Sequence, residues 1–236
     1  MSRRISKKIK VGNLSIGGDA PISVQSMTNR PAHDFDGTLE QVKRLADAGC
    51  DIVRMAVPDE NAAPVFRFLK DAGIKMPLVA DIHFDYRLAL AALRFGADKI
   101  RINPGNIGAE WKVREVADAC GAAGVPIRIG VNSGSLDKEL LKKYGAPSPE
   151  ALAESALDQA DMLEGMGFGN TVISIKSSHI STACAAARIV ARESSYPLHL
   201  GVTEAGTEYS GIIKNAAAMG SLLVDGIGDT IRVSLT

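Results

Sequence analysis

Eight short β-branched or apolar runs, longer stretches of helical spacing between them, and glycine stops at matching places together predict an α/β fold, a (β/α)8 TIM barrel of eight parallel strands. The length of 236 residues suits a fold that typically takes ~250. Residues 8–16 read as a hairpin closing the bottom of the barrel, and the first barrel strand follows at 22–27. A helix at 38–48 opens after Asp36-Gly37 and stops at Gly49, and one at 59–72, after the strand at 52–57, stops at Gly73. The same alternation gives strands at 78–83, 99–104, 127–132, 172–177, 199–204 and 230–235. Helices between them are expected at 86–95, 111–123, 149–166, 180–192 and 210–219. After the eighth strand the sequence ends at Thr236 with no eighth helix. That strand's outer face is therefore expected to be exposed, as in a barrel that is part of something longer. A doubly wound sheet would carry its dinucleotide fingerprint after the first strand, whereas the glycine-rich run Gly165-Met166-Gly167-Phe168-Gly169 precedes a strand.

Composition narrows the function classes. With 27 basic and 27 acidic side chains the chain is formally neutral, which speaks against a nucleic-acid binder or a polybasic membrane clamp. At 46% hydrophobic and 23% charged it has enough apolar material for a core, so disorder is excluded as its main state. No apolar run approaches the ~18 residues needed to span a bilayer. The basic start at Arg3, Arg4, Lys7, Lys8 and Lys10 lacks the apolar stretch of a signal peptide and reads as a solvated arm. Cys50, Cys120 and Cys184 are odd in number and far apart, so they read as reduced, packed thiols of a cytoplasmic protein and form no metal site.

The chemistry is expected at the C-terminal ends of the strands, where barrels place their sites. Arg54 lies on the second strand, Asp81 and His83 end the third, Arg101 and Asn103 lie on the fourth, and Arg128 and Asn132 on the fifth. Lys176 ends the sixth, Thr203 and Glu204 the seventh, and Arg232 lies on the eighth. Alternation with period two puts Asp81 with His83, Arg101 with Asn103, and Arg128 with Asn132 on shared faces turned into the mouth. Four arginines and Lys176 face only Asp81 and Glu204, an excess of three positive charges that calls for an anionic ligand. Guanidinium forks match phosphate or diphosphate oxygens, and the turns at 132–135 and 204–206 add backbone donors. Glu204, a partly desolvated carboxyl at the mouth, is the expected proton donor. His83 is placed to bond or transfer a proton, whereas His199, at the opposite end of its strand, reads as packed core.

The strings VQSMTN (from Val24), VADIHFDYR (from Val79), RINPGNIG (from Arg101), IRIGVN (from Ile127), HLGVTEAG (from His199) and GIGDTIRVSL (from Gly226) carry a resemblance. In order and context they resemble the 4-hydroxy-3-methylbut-2-enyl diphosphate synthase family of the methylerythritol phosphate route to isoprenoids, over residues 9–235. The resemblance implies an oxidoreductase that opens 2-C-methyl-D-erythritol 2,4-cyclodiphosphate by a two-electron reduction with loss of water. Electrons from ferredoxin or flavodoxin would pass through a 4Fe-4S cluster. It also implies that the cyclodiphosphate is bound by Arg54, Asp81, His83, Arg101, Asn103, Arg128, Asn132, Lys176, Thr203 and Arg232, with Glu204 as proton donor. In the family the cluster sits on a C-terminal domain whose ligands have no counterpart among Cys50, Cys120 and Cys184. The family's head-to-tail homodimer closes that domain over the partner's barrel. The expectation is a substrate-binding barrel that does not reduce its substrate unaided.

Two other readings compete. Lys176 at the end of a strand in a phosphate-binding barrel suits a Schiff-base aldolase, although Ser174, Ser177 and Ser178 form a polar neighbourhood expected to favour the charged ammonium. A truncated, non-catalytic binding barrel is the other.

Overall fold

The computed structural model describes residues 2–235, and the expected end point Thr236 lies outside them. A hairpin of β1 (Ile9–Val11) and β2 (Leu14–Ile16) comes first, as expected. The chain continues through β3 (Ser23–Met27), α1 (Phe35–Asp47), β4 (Ile52–Ala56), α2 (Val65–Asp71), β5 (Leu78–Asp81), α3 (Tyr86–Arg94) and β6 (Lys99–Ile102). Next are α4 (Pro104–Ile107), α5 (Glu110–Ala123), β7 (Ile127–Asn132), α6 (Lys138–Tyr144), α7 (Pro149–Gly165) and β8 (Thr171–Lys176). The chain finishes with α8 (Ile180–Glu193), β9 (His199–Leu200), α9 (Glu208–Val224) and β10 (Thr230–Ile231). Strands β3 to β10 form one parallel sheet in the order β8-β7-β6-β5-β4-β3-β10-β9. Its two ends meet at a parallel bridge between Ile173 and Leu198, so the eight strands make a nearly closed TIM barrel.

Two cores follow from the alternation of faces. Outward β-branched residues such as Ile100, Ile102, Ile127, Ile129 and Ile173 pack under the helices in one large apolar layer. Inward Ile52, Val79 and Val172 meet Ile9, Val11 and Ile16 of the hairpin, which plugs the bottom of the barrel. Above that plug the interior turns polar. The parallel register sets Arg101 beside Arg128, Gly130 beside Ser174 and Asn132 beside Lys176 on the inward face.

The departures from expectation have local causes. Residues 104–144 carry α4, a single 3-10 turn (Ser133–Ser135) and α6, which the periodicity misses because each is too short to show a repeat. Side chains cap both short helices: Asn103 accepts from Gly105 N–H at 3.1 Å and Asp137 from Glu139 N–H at 2.7 Å. Helix α2 starts six residues later than read, because Asp59 holds a turn by accepting from Ala62 N–H and Pro64 sits at the N-cap. Helix α9 runs on past Gly220, whose side-chain position is open space. Strands β9 and β10 pair over two residues each, not six.

The basic N-terminus is not a solvated arm. Arg3 donates to Asp229 Oδ1 at 2.9 Å, and Arg4 donates to the carbonyls of Ala191 at 2.8 Å and Tyr196 at 3.0 Å. On the outside of β3 and beyond β10, Ile22, Val24 and Val233 are 37%, 42% and 51% exposed, and no helix among the described residues covers them. No helix among the described residues is long and apolar enough to cross a membrane.

Candidate functional site

Strands β4 to β8 end at one mouth, and their last inward residues surround a cavity of about 330 Å³. Arg54 (β4), Asp81 (β5), Arg101 (β6), Arg128, Gly130 and Asn132 (β7), and Ser174 and Lys176 (β8) line it. Thr203 and Arg232, just past β9 and β10, complete the ring with His83, Phe84 and Asn106. Nine of the eleven residues predicted from the sequence therefore share this cavity.

The two exceptions are Asn103 and Glu204. Asn103 is buried and caps α4, while Asn106 of that helix takes a place on the cavity wall. Glu204 was expected at the mouth and partly desolvated; it is exposed, at φ 51°, and lines a separate concavity of about 870 Å³ with His179, Cys184, Arg188 and Lys214. The charge excess is therefore larger than the sequence suggested. Five cationic side chains face the single carboxylate of Asp81.

Asp81 is buried and shared. Its Oδ1 accepts from Arg101 at 3.1 Å, while its Oδ2 lies 3.5 Å from Arg54 Nε and 3.4 Å from His83 Nε2. Burial alone would raise its pKa, but the His83 hydrogen bond and the charges of Arg54, Arg101 and Arg128 outweigh it and hold the carboxyl below the ordinary range. Burial, resisted by Asp81 and reinforced by Arg232 and Arg101, pulls Arg54 down to about 10. Burial and then the neighbouring guanidiniums push Lys176 well below the ordinary lysine value. The polar serines thus do not alone settle its charge as the sequence suggested; burial and the surrounding guanidiniums weaken its hold on the proton. Unlike an ordinary structural ion pair, this ring leaves donors over. Arg101 Nε, Arg128 Nε and Nη2, and Arg232 Nε are buried without a hydrogen-bond partner in the protein.

The arginines that carry them line one small cavity, and such a cationic ring is what a multiply charged oxyanion satisfies. The comparisons with known proteins bear on which one. The GcpE TIM-barrel domain family matches residues 6–236. The chain belongs to that family.

Among its relatives is "4-hydroxy-3-methylbut-2-en-1-yl diphosphate synthase (flavodoxin)" of Caldanaerobacter subterraneus subsp. tengcongensis, 56% identical over 99% of this chain and 66% of its own length. The proteins of the same name from Clostridium perfringens and Pseudomonas paraeruginosa are 56% and 55% identical over all of this chain, and over 67% and 63% of their lengths. The chain thus spans about two thirds of the length of the curated relatives it matches. Solved structures of lower identity share the fold alone. They include a dihydropteroate synthase of Thermus thermophilus, at 14% identity and TM-score 0.68 over 96% of this chain and 92% of the other. A truncated 3-deoxy-D-arabino-heptulosonate 7-phosphate synthase of Thermotoga maritima aligns at 14% identity and TM-score 0.64, over 96% and 79%.

In this GcpE barrel the sequence reading missed Met27 and Gly130. Met27 Sδ accepts from Arg54 Nε at 3.2 Å and Nη2 at 2.9 Å, holding the guanidinium against the wall. Gly130 leaves room for Arg101, since a Cβ there would lie 2.8 Å from its Nε. Its place two residues after Arg128, on the inward face, was the available signal. No three of His, Cys, Asp and Glu gather as a metal-binding group among the described residues, and Cys50 lies before β4, Cys120 on α5 and Cys184 on α8. The described residues of this GcpE barrel therefore do not fit a 4Fe-4S cluster.

Proposed function

We propose that this barrel binds 2-C-methyl-D-erythritol 2,4-cyclodiphosphate and is the substrate-binding part of a 4-hydroxy-3-methylbut-2-en-1-yl diphosphate synthase, an oxidoreductase of isoprenoid biosynthesis. The observation that carries the reading is the ring of five cations around one cavity with a single carboxylate. The relatives' shared name gives a diphosphate as the product, which suits a diphosphate-bearing substrate, and the unpaired cysteines suit the cytoplasm.

The chain's own residues bind, orient and stabilise charge. Reductive opening takes up two electrons and one proton, breaks the C–O bond to the cyclic diphosphate and the neighbouring C–OH bond, and forms a C=C double bond with release of one water. The bridging ester oxygen becomes a terminal anionic oxygen as its bond to carbon breaks, so negative charge on the diphosphate grows along the reaction. Fixed guanidiniums at Arg54, Arg101, Arg128 and Arg232 stabilise this growing charge more than the starting charge, which is the condition for catalysis by a preorganised site. Asp81 holds Arg54 and Arg101 in place. Glu204 as proton donor is part of this proposal. Its support is its position directly after Thr203, which lines the cavity, and its left-handed φ, a strained conformation of the kind that clusters at functional sites.

Flavodoxin, which the relatives' shared name carries, is the proposed electron donor, with ferredoxin as the alternative. The cluster and its ligands belong, in this proposal, to a separate C-terminal domain, delivered by the partner in a head-to-tail homodimer. Calorimetry with the cyclodiphosphate tests the reading: this chain should bind it, Arg101→Gln should weaken binding at least about tenfold, and no binding would remove the case. Iron analysis and turnover with reduced flavodoxin should both be negative for this chain, and activity with bound iron would overturn the division of labour. A Schiff-base aldolase using Lys176 has one observation in its favour, the depressed ammonium; borohydride should trap no adduct there.

A further inference from the structure

Beneath the cavity lies a cation that the proposed function does not use. Lys99 points inward from β6, two residues before Arg101 and so about 7 Å deeper along the strand. It is 0% exposed, and its Nζ has no hydrogen-bond partner in the protein. Its register partner is Val79, part of the apolar plug that seals the barrel from below. The charged and titratable groups that share this interior are Arg128 on β7, Arg54 on β4, Lys176 on β8, His199 on β9, Asp81 on β5 and Arg101 farther along β6. Asp81 is committed to Arg101 and Arg54, and His199 is itself buried with both ring nitrogens unpartnered.

An ammonium in that position would be desolvated, unpartnered and faced by two guanidiniums, which is the arrangement in which a lysine gives up its proton. Burial, then Arg128 and Arg54, bring Lys99 down to about 7, consistent with the geometry. A multiply charged anion on Arg54 and Arg128 reverses the sign of the field that Lys99 feels, and the dry interior transmits it.

We propose that Lys99 is a reserve cation of the pocket, an amine largely uncharged above neutral pH while no anion is bound, which takes a proton from solvent when a multiply charged oxyanion settles on Arg54 and Arg128. This deepens the anion-binding reading above and rests on it. Lys99 touches no ligand; it is a positioning residue that adds charge through its two arginine neighbours. Two consequences follow from linkage. Binding takes up as much as one proton per anion, so affinity falls with rising pH above neutrality. Doubly charged oxyanions also gain more from the site than singly charged ones.

The test is lysine Cε NMR on this chain, with the Lys99 resonance identified by its loss in Lys99→Met and independently by through-bond connection to the Asp98 and Ile100 amides, which needs no variant. The pH midpoint of that resonance is followed in chloride and in inorganic sulfate at matched ionic strength, sulfate being a divalent oxyanion with no proton to exchange in this range. The expected result is a midpoint near neutrality in chloride that rises by at least about one pH unit, a tenfold change in proton affinity, in sulfate. An ordinary lysine midpoint in chloride overturns the proposal. So does an unmoved Lys99 midpoint while the Arg54 and Arg128 side-chain signals shift with sulfate. If sulfate shifts neither those signals nor Lys99, the anion-site reading itself fails and takes this proposal with it.

Discussion

At the scale of single residues, the cavity works because its crowded cations are spaced by a glycine and joined through one carboxylate. Gly130→Ala puts a methyl 2.8 Å from Arg101 Nε, and the guanidinium, as the end of a flexible chain, moves aside. The expected outcome is a fold with nearly unchanged thermal stability and about tenfold weaker cyclodiphosphate binding, equivalent to about 1.4 kcal/mol, read by calorimetry beside a melting curve. Asp81→Asn removes the one carboxylate and leaves Arg54 and Arg101 unpaired in a buried place, so denaturant unfolding should show a loss of about 3–5 kcal/mol. Acid should imitate it. Because the folded pKa of Asp81 lies below its unfolded value of about 3.9, its contribution is complete at neutral pH, fades as pH falls below that value and is gone once the carboxyl protonates in the folded chain. The cationic members of the site were legible in the sequence because arginines at inward strand positions are rare without a purpose. Glu204 was not, because the three residues between β9 and it decide whether its side chain enters the mouth, and alternation no longer governs them.

At the scale of elements, the strand and helix order was readable because each unit has its own apolar period and all but the α8 unit have a glycine stop. The short pieces α4 and α6 were not, since each is held by a cap and a turn with no repeat to detect. The hairpin β1–β2 has a larger role than closure alone, because it supplies the dry floor beneath a polar interior. Ile16 is fully buried against that floor, and Ile16→Ala should cost about 2–5 kcal/mol in denaturant unfolding. Asp229 fastens the same end by accepting from Ser6 Oγ at 2.8 Å and Leu198 N–H at 2.8 Å, which explains why the basic start of the chain is docked and not solvated.

At the scale of the whole molecule, the barrel trades stability for a concentration of positive charge. The global pH dependence should show it. Lys99 is lowered to about 7 in the folded chain and returns to about 10.4 on unfolding, so between these values the unfolded chain holds the extra proton and stability rises with pH. Urea unfolding between about pH 7.5 and 9.5 should show a slope of roughly 1 kcal/mol per pH unit from this residue, which Lys99→Met removes. The sequence by itself determined the alternation of elements, the face each strand residue takes and the identity of the cations, because these depend on local periodicity and side-chain chemistry. Only the tertiary structure decided that the barrel closes through the Ile173–Leu198 bridge, that Glu204 lies outside the cavity, and that Lys99 is sealed beneath it. Those outcomes depend on distances between residues far apart in the chain, and no local pattern encodes them.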